Sequence, residues 1–156
     1  MSIEAVRPFL AAFGREGDIM EFPVSSATVE LAAQALNTEG ARIAKTLSFA
    51  DGESCLVVVT AGDTKIDNAK FKHTFGFKAK MLPFERVAEL TGHAVGGVCP
   101  FALPETVRIF LDESLKRFST VYPAAGSSNS AIEVTCEQLE EYSGGTWVDV
   151  CKLRTE

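Results

Sequence analysis

The chain is short of the residues that do most enzyme chemistry. It has two histidines, one tryptophan and two tyrosines in 156 residues. It has no GxSxG turn, which excludes the usual nucleophile elbow of a serine hydrolase. Neither a phosphate-binding loop nor a dinucleotide fingerprint is present. The four cysteines, Cys55, Cys99, Cys136 and Cys151, form no CxxC pair, and no His/Cys cluster has zinc spacing. No disulfide framework, metal or cofactor is therefore expected. No apolar run is long enough to span a bilayer. The start, MSIEAVRP, lacks the basic and apolar stretches of a signal peptide, so a cytoplasmic location without a membrane partner is expected. Net positive charge is missing as well. A formal charge of -6 argues against broad binding of long duplex DNA, which needs many phosphate contacts.

What remains is the composition of an ordinary globular protein, 46% hydrophobic and 23% charged. The length suits a single domain over 1–156 with a real core. No repeat or linker breaks it. The charge is uneven. Lys65, Lys70, Lys72, Lys78 and Lys80 crowd residues 64–80 with Asp67 alone opposing them, whereas the C-terminal part carries Glu133, Glu137, Glu140, Glu141 and Asp149. Such a local patch is either a solvated surface or a seat for a short stretch of phosphate backbone.

One lysine is out of place. In 42–49, RIAKTLSF, the residues Ile43, Leu47 and Phe49 share one strand face by period two, and Lys45 is in phase with them. Arg42, Ala44, Thr46 and Ser48 take the other face. A lysine on an apolar face snorkels out, finds a counter-ion or lines a cavity, and burial lowers its pKa. The Asp51-Gly52 pair predicts a hairpin to a second, nearly all-apolar strand over 55–61.

Around these strands the spacing predicts a helix with Ile3, Val6, Leu10 and Phe13 inside, capped by Ser2 and closed by Gly14 and Gly17. A short strand follows over 18–23, and Ser26 is read as the cap of a helix ending near Gly40. A helix over 67–74, a strand over 77–81 and a helix begun by Pro83 come next. Strands are predicted over 107–111, 131–134 and 147–150. A short helix begins at the Asp112 cap, 120–123 is extended, and Thr135-x-x-Gln138 is a capping box. Helices and hairpins interleave, so the fold class is α/β with a mixed sheet and surrounding helices.

Two irregular segments, 91–104 and 122–130, are poor in charge and rich in glycine and small residues. Such backbone can approach a ligand closely or simply turn. Gly96 and Gly97 could present amides to an oxyanion, with Pro100 stiffening the turn. His93 precedes them and is the better placed of the two histidines. A Cys99/His93 nucleophile pair is conceivable but has no evident orienting acid.

Taken together, RIAKTL at 42–47, VVVTAGD at 57–63, GHAVGGVCPF at 92–101 and AGxxxxxIEV at 125–134 resemble the YbaK/ProX family. These are aminoacyl-tRNA deacylases related to the editing domain inserted in bacterial prolyl-tRNA synthetases. The resemblance implies a single domain with a curved mixed sheet. It also implies hydrolysis of the ester that joins a wrong amino acid to the tRNA 3′ end. Lys45 matches the family's active-site lysine, which helps position substrate, and 96–100 matches its G-x-x-x-P loop. The loop backbone near Gly96 is implied to hold the aminoacyl group, and the terminal ribose hydroxyl to assist the water.

On that footing Lys45, Gly96 and Gly97 are the candidate catalytic residues. Thr46, His93, Pro100, Gly126, Ser128 and Asn129 are candidates for substrate binding, and Lys65, Lys70 and Lys72 for contact with the tRNA acceptor end. The small residues suit Ala, Ser or Cys as the amino acid. Ser127, Ser128 and Asn129 depart from the basic residue and glycine expected of a cysteine-directed branch. A synthetase or an elongation factor is a further possible partner. Two other readings stay open: a binding module for tRNA ends or a synthetase that keeps the fold without turnover, and a Cys99-dependent acyl hydrolase.

Overall fold

The computed structural model describes residues 2–154. In chain order it runs α1 (Ser2–Ala11), β1 (Met20–Glu21), α2 (Val29–Leu36), β2 (Ile43–Asp51), β3 (Ser54–Ala61), β4 (Thr64–Ile66) and α3 (Asn68–Phe75). Then come α4 (Phe84–Thr91), β5 (Arg108–Asp112), β6 (Tyr122–Pro123), β7 (Ser130–Ala131), α5 (Cys136–Ser143), β8 (Thr146–Val148) and β9 (Cys151–Leu153). The fold class is the expected mixed α/β. A five-stranded sheet has the order β6-β2-β3-β5-β8, antiparallel at β2–β3 and parallel elsewhere.

The central strand is the one read from its apolar run: every residue from Cys55 to Ala61 is buried. Its even and odd residues serve different cores. Leu56 and Val58 join Phe49, Phe71 and Val150 on one face. Val59 and Ala61 join Val6, Leu10, Leu111, Ile132 and Leu139 on the other. The sheet is thus covered on both faces, which is why the strand is continuous rather than alternating.

The local signals explain most boundaries. Asp51 pairs with Ser54 across a two-residue loop in which Gly52 has φ +62. Asp67 accepts from the amides of Ala69 and Lys70 to start α3, and Pro83 precedes α4. Asp112 accepts from Ser114 N to open a 3₁₀ turn over Glu113–Arg117. The Thr135/Gln138 capping box is formed on both sides. The side chain of Ser2, read as a cap, lies outside the described residues.

Several expectations need correction. Thr28 rather than Ser26 caps α2, because the Ser26 amide is tied to Ser128 O instead. Residues 77–81 are not a strand: only Met81 bridges to Phe49, and the Phe77 ring turns inward onto Phe71 and Phe75. The strand expected over 131–134 is Ser130–Ala131, and that expected over 147–150 is Thr146–Val148. β9, beyond it, pairs with β4 through Lys65↔Lys152.

Candidate active site

The site grows from a gap at the edge of the sheet. β6 pairs with β2 only at Ile43 and Ala44, and Met81 bridges only at Phe49. Among the described residues no strand covers the outer edge of β2 between them. Ala50 N donates to Lys80 O (2.8 Å) and Ser48 O accepts from Leu82 N (3.2 Å). Even-numbered residues therefore direct their backbone polar groups outward, and by the period of two Thr46 directs its N–H and C=O into the gap.

A cleft of about 450 Å³ occupies the gap. One wall is β2 itself, including Lys45 and Thr46. α2 and the segment before it supply Ser26, Ala27, Thr28, Val29 and Ala32. Gly96 and Val98 come from the first irregular segment, Tyr122, Ala124, Ser130 and Ala131 from the second, and Met81 and Phe84 from around the start of α4. Among the described residues, Lys45 and Tyr122 are the ionisable side chains of this lining.

Lys45 Nζ donates to the carbonyl of Thr64 at 2.6 Å. An ammonium has three donors, so others remain. Burial holds its pKa below the ordinary lysine range, and Arg154 pushes the same way, against the pull of Cys151, Asp63 and Glu30. Of the three fates open to a lysine on an apolar face, this one lines a cavity. Thr46 Oγ1 is buried with no hydrogen-bond partner among the described residues. A hydroxyl left so costs about 1–3 kcal/mol, which a ligand group in the cleft would offset.

The two irregular segments meet beside this wall. Gly96 has φ +92, and a Cβ there would press on Ala27 at 3.4 Å. Its N–H has no acceptor among the described residues. Gly97 is different: its N–H donates to Ala94 O at 2.9 Å, and it does not line the cleft. A Cβ on Gly97 would sit 2.9 Å from Ser127 Cα and 3.0 Å from Gly126 O. Gly97 is the contact that lets the segments close on each other, and Gly96 is left as the available amide.

His93, Pro100 and Cys99 are also buried beneath the loop rather than in the cleft. His93 Nε2 lies 2.8 Å from Phe101 O and 3.6 Å from Cys99 Sγ, and its Nδ1 has no partner among the described residues. Nε2 is therefore the protonated nitrogen, donating to Phe101 O. Burial lowers the imidazole's pKa. Burial also pushes the Cys99 thiol up to about 12, which removes the thiolate a nucleophile needs. The conceivable nucleophile pair is a staple across the turn.

Gly126, buried at φ +101, turns the second segment. Ser128 O accepts from Ser26 N at 2.7 Å, and the Asn129 amide donates to Phe22 O at 2.9 Å. Gly126, Ser128 and Asn129 are not part of the cleft lining; Ser128 and Asn129 zip the second segment to residues 22–26. The serine that the second segment gives to the lining is Ser130, whose Oγ accepts from Ser127 Oγ at 2.7 Å.

Lys65, Lys70 and Lys72 lie away from the cleft. Lys70 donates to Asp149 at 3.1 Å and Cys151 O at 3.0 Å. The β4–β9 pairing sets Lys152 across from Lys65 and carries Arg154 to Asp63 O. The sequence missed these two cations, because only the pairing of β9 with β4 brings them to the basic cluster. It likewise missed the lining from 26–29, which nothing local marks.

Residues 24–142 match the family model for the aminoacyl-tRNA editing domain. YwhH of Bacillus subtilis (strain 168), a protein described as uncharacterised, is 53% identical over 154 residues, 97% of this chain and 98% of its own. Proline--tRNA ligase of Leuconostoc citreum (strain KM20) is 36% identical over 88 residues, 55% of this chain but 15% of the ligase. Among solved structures, one provisionally described as a trans-editing enzyme for prolyl tRNA synthetase superposes with a TM-score of 0.86 at 28% identity, covering 96% of each chain. No described helix is long and apolar enough to cross a membrane. By sequence and by fold, this chain belongs to the aminoacyl-tRNA editing domain family.

Proposed function

We propose that the protein is a trans-acting deacylase that hydrolyses the ester of a tRNA mischarged with a small, uncharged amino acid of the Ala, Ser or Cys class. The observation that carries this reading is the cleft wall itself. It sets one lysine, one unsatisfied threonine hydroxyl and one free glycine amide against apolar surroundings, with no carboxylate or histidine among the described lining. That set offers no carboxylate or imidazole as a general base, but it can polarise an acyl group that is already activated.

The carbonyl oxygen of the ester takes Gly96 N–H and Lys45 Nζ as donors. Water attacks the carbonyl carbon, and the negative charge that builds on the oxygen is held by these two groups in a cleft with few competing waters. The carbon–oxygen bond to the ribose then breaks. Of the two protons the attacking water gives up, one passes by way of the neighbouring ribose hydroxyl to the departing ribose oxygen and the other goes to solvent, and the amino acid leaves as its carboxylate. The outward C=O of Thr46 receives the α-ammonium, and Thr46 Oγ1 gains the partner it lacks. A cationic amino-acid side chain would be desolvated there with no carboxylate in the described lining, and an acidic one would compete with the ester carbonyl for Lys45, so the pocket favours uncharged ones.

The kinship with proline--tRNA ligases points to tRNA charged in error by that enzyme, and a synthetase is the partner most in keeping with it. A second hydrolytic site is useful where a synthetic pocket separates small side chains poorly. Substrate tRNAs charged separately with Ala, Ser, Cys and Pro test the proposal. Release of one of the first three, with prolyl-tRNA spared, is expected. Binding without release of any of them would convert the protein to a non-catalytic module.

A further inference from the structure

The mouth of the cleft is apolar on its solvent side. Phe84, Met81 and Val95 all line it while 75%, 55% and 46% exposed. Phe49, Phe71, Phe75 and Phe77 stack among themselves, whereas Phe84 has no ring partner among the described residues. Its placement is fixed. Pro83, at φ -57, sets the chain direction, and the residues before it are bonded to the edge of β2 through Lys80 O and Leu82 N. Val95 approaches from the other side, next to Gly96. An exposed ring on a rigid rim, continuous with a reaction cleft, is a surface to be covered during the reaction.

The size of the cleft says by what. Its 450 Å³ equals about fifteen waters at about 30 Å³ each, while a small aminoacyl group has only about six non-hydrogen atoms. Most of the space is left for what the ester is attached to. The approach to the rim is cationic: Lys78 and Lys80 are exposed and form no ion pair among the described residues. On α4, Arg86 neutralises Glu89, and Glu85 is the remaining acid.

Building on the deacylase reading, we propose that Phe84, flanked by Met81 and Val95, is the stacking platform for the terminal nucleobase of the charged RNA, with Lys78 and Lys80 taking its backbone phosphates. A flat base covers an aromatic ring whatever its sequence identity, so the platform fixes the 3′ end without reading it.

The test compares wild type, Phe84→Ala and Phe84→Trp on two esters: alanyl-tRNA, and the same alanyl ester on an RNA whose terminal base has been removed. Phe84→Ala is expected to raise KM about 5- to 150-fold on the base-bearing ester with kcat unchanged. Phe84→Trp should stay within about two-fold of wild type, and on the base-less ester wild type and Phe84→Ala should coincide. A KM that does not move, or one that moves equally on both esters, would overturn the proposal and give the rim to the aminoacyl group or to a protein partner. If wild type cleaves neither ester, the deacylase reading fails by itself. The platform is then judged by binding of an uncharged RNA ending in CCA, which Phe84→Ala must weaken by the same factor or the platform fails too.

Discussion

Replacing Gly97 by alanine separates the architecture of the site from its chemistry. Gly97 has no unusual φ, so alanine is allowed by the backbone, and the whole effect comes from the added methyl. That methyl would lie 2.9 Å from Ser127 Cα and 3.0 Å from the Gly126 carbonyl, and backbone cannot rotate away as a side chain can. Overpacking of this kind costs about 1–3 kcal/mol. For a chain of this size that is a fall in Tm of about 3–10 °C. The larger effect is on rate. If the segments part by even a few tenths of an ångström, Gly96 N–H moves off the developing oxyanion, and losing one such donor lowers kcat by about 10²–10³. Differential scanning fluorimetry and single-turnover deacylation read the two effects in one preparation. Gly17→Ala is the control: it has ordinary φ and nothing within 4 Å, so neither reading should fall. A Gly97→Ala protein with wild-type melting and wild-type rate would refute the close contact on which the site is built.

Other perturbations act on single groups. Thr46→Val removes a buried hydroxyl that has no partner, so Tm should hold or rise slightly while KM for the ester rises about ten-fold; a loss of stability in thermal melts would mean the hydroxyl is satisfied within the fold. Cys99→Ala should deacylate normally, and iodoacetamide should not inhibit wild type, because the thiol is buried with its pKa pushed up to about 12; inhibition blocked by Cys99→Ala would restore the nucleophile. His93 is held neutral by burial, with its pKa below the unfolded value of about 6.5. Acidification through that window protonates the unfolded chain first, so stability falls as pH falls. The Tm gap between wild type and His93→Gln should therefore narrow from about pH 7 to about pH 5, and a constant gap would contradict a buried neutral imidazole. Reversing Lys72 and Lys152 should weaken tRNA binding and flatten its dependence on salt by about one ion for each phosphate no longer neutralised, whereas unchanged binding would remove the β4–β9 face from the RNA surface.

Much of the fold is legible in the sequence because its signals are local. The Asp67, Asp112 and Thr135 caps, the Gly52 turn and the apolar run of β3 each determine their own geometry. Lys45 stands out for the same reason, as one charged residue in phase with the apolar face of a short pattern. The remainder depends on partners distant in sequence. Ser26 looks like a cap until Ser128 O takes its amide, and 77–81 looks like a strand until the Phe77 ring turns inward. The gap in the β2 edge is invisible from residues 42–51 alone, since it exists only where β6 ends and Met81 has not yet begun to pair. Glycine in the loops marks the right region but not the division of labour. Gly96 is free for a ligand, Gly97 closes the contact, and His93, Pro100 and Cys99 lie beneath them.

The central claim is that Lys45 acts on the reacting ester rather than on the fold. The most direct measurement is single-turnover deacylation of alanyl-tRNA by wild type, Lys45→Ala and Lys45→Arg, with tRNA affinity measured alongside. The account predicts that Lys45→Ala loses cleavage by at least about 10²-fold while folding and binding the tRNA nearly as well as wild type, with partial recovery in Lys45→Arg. A Lys45→Ala protein that cleaves at the wild-type rate would contradict it.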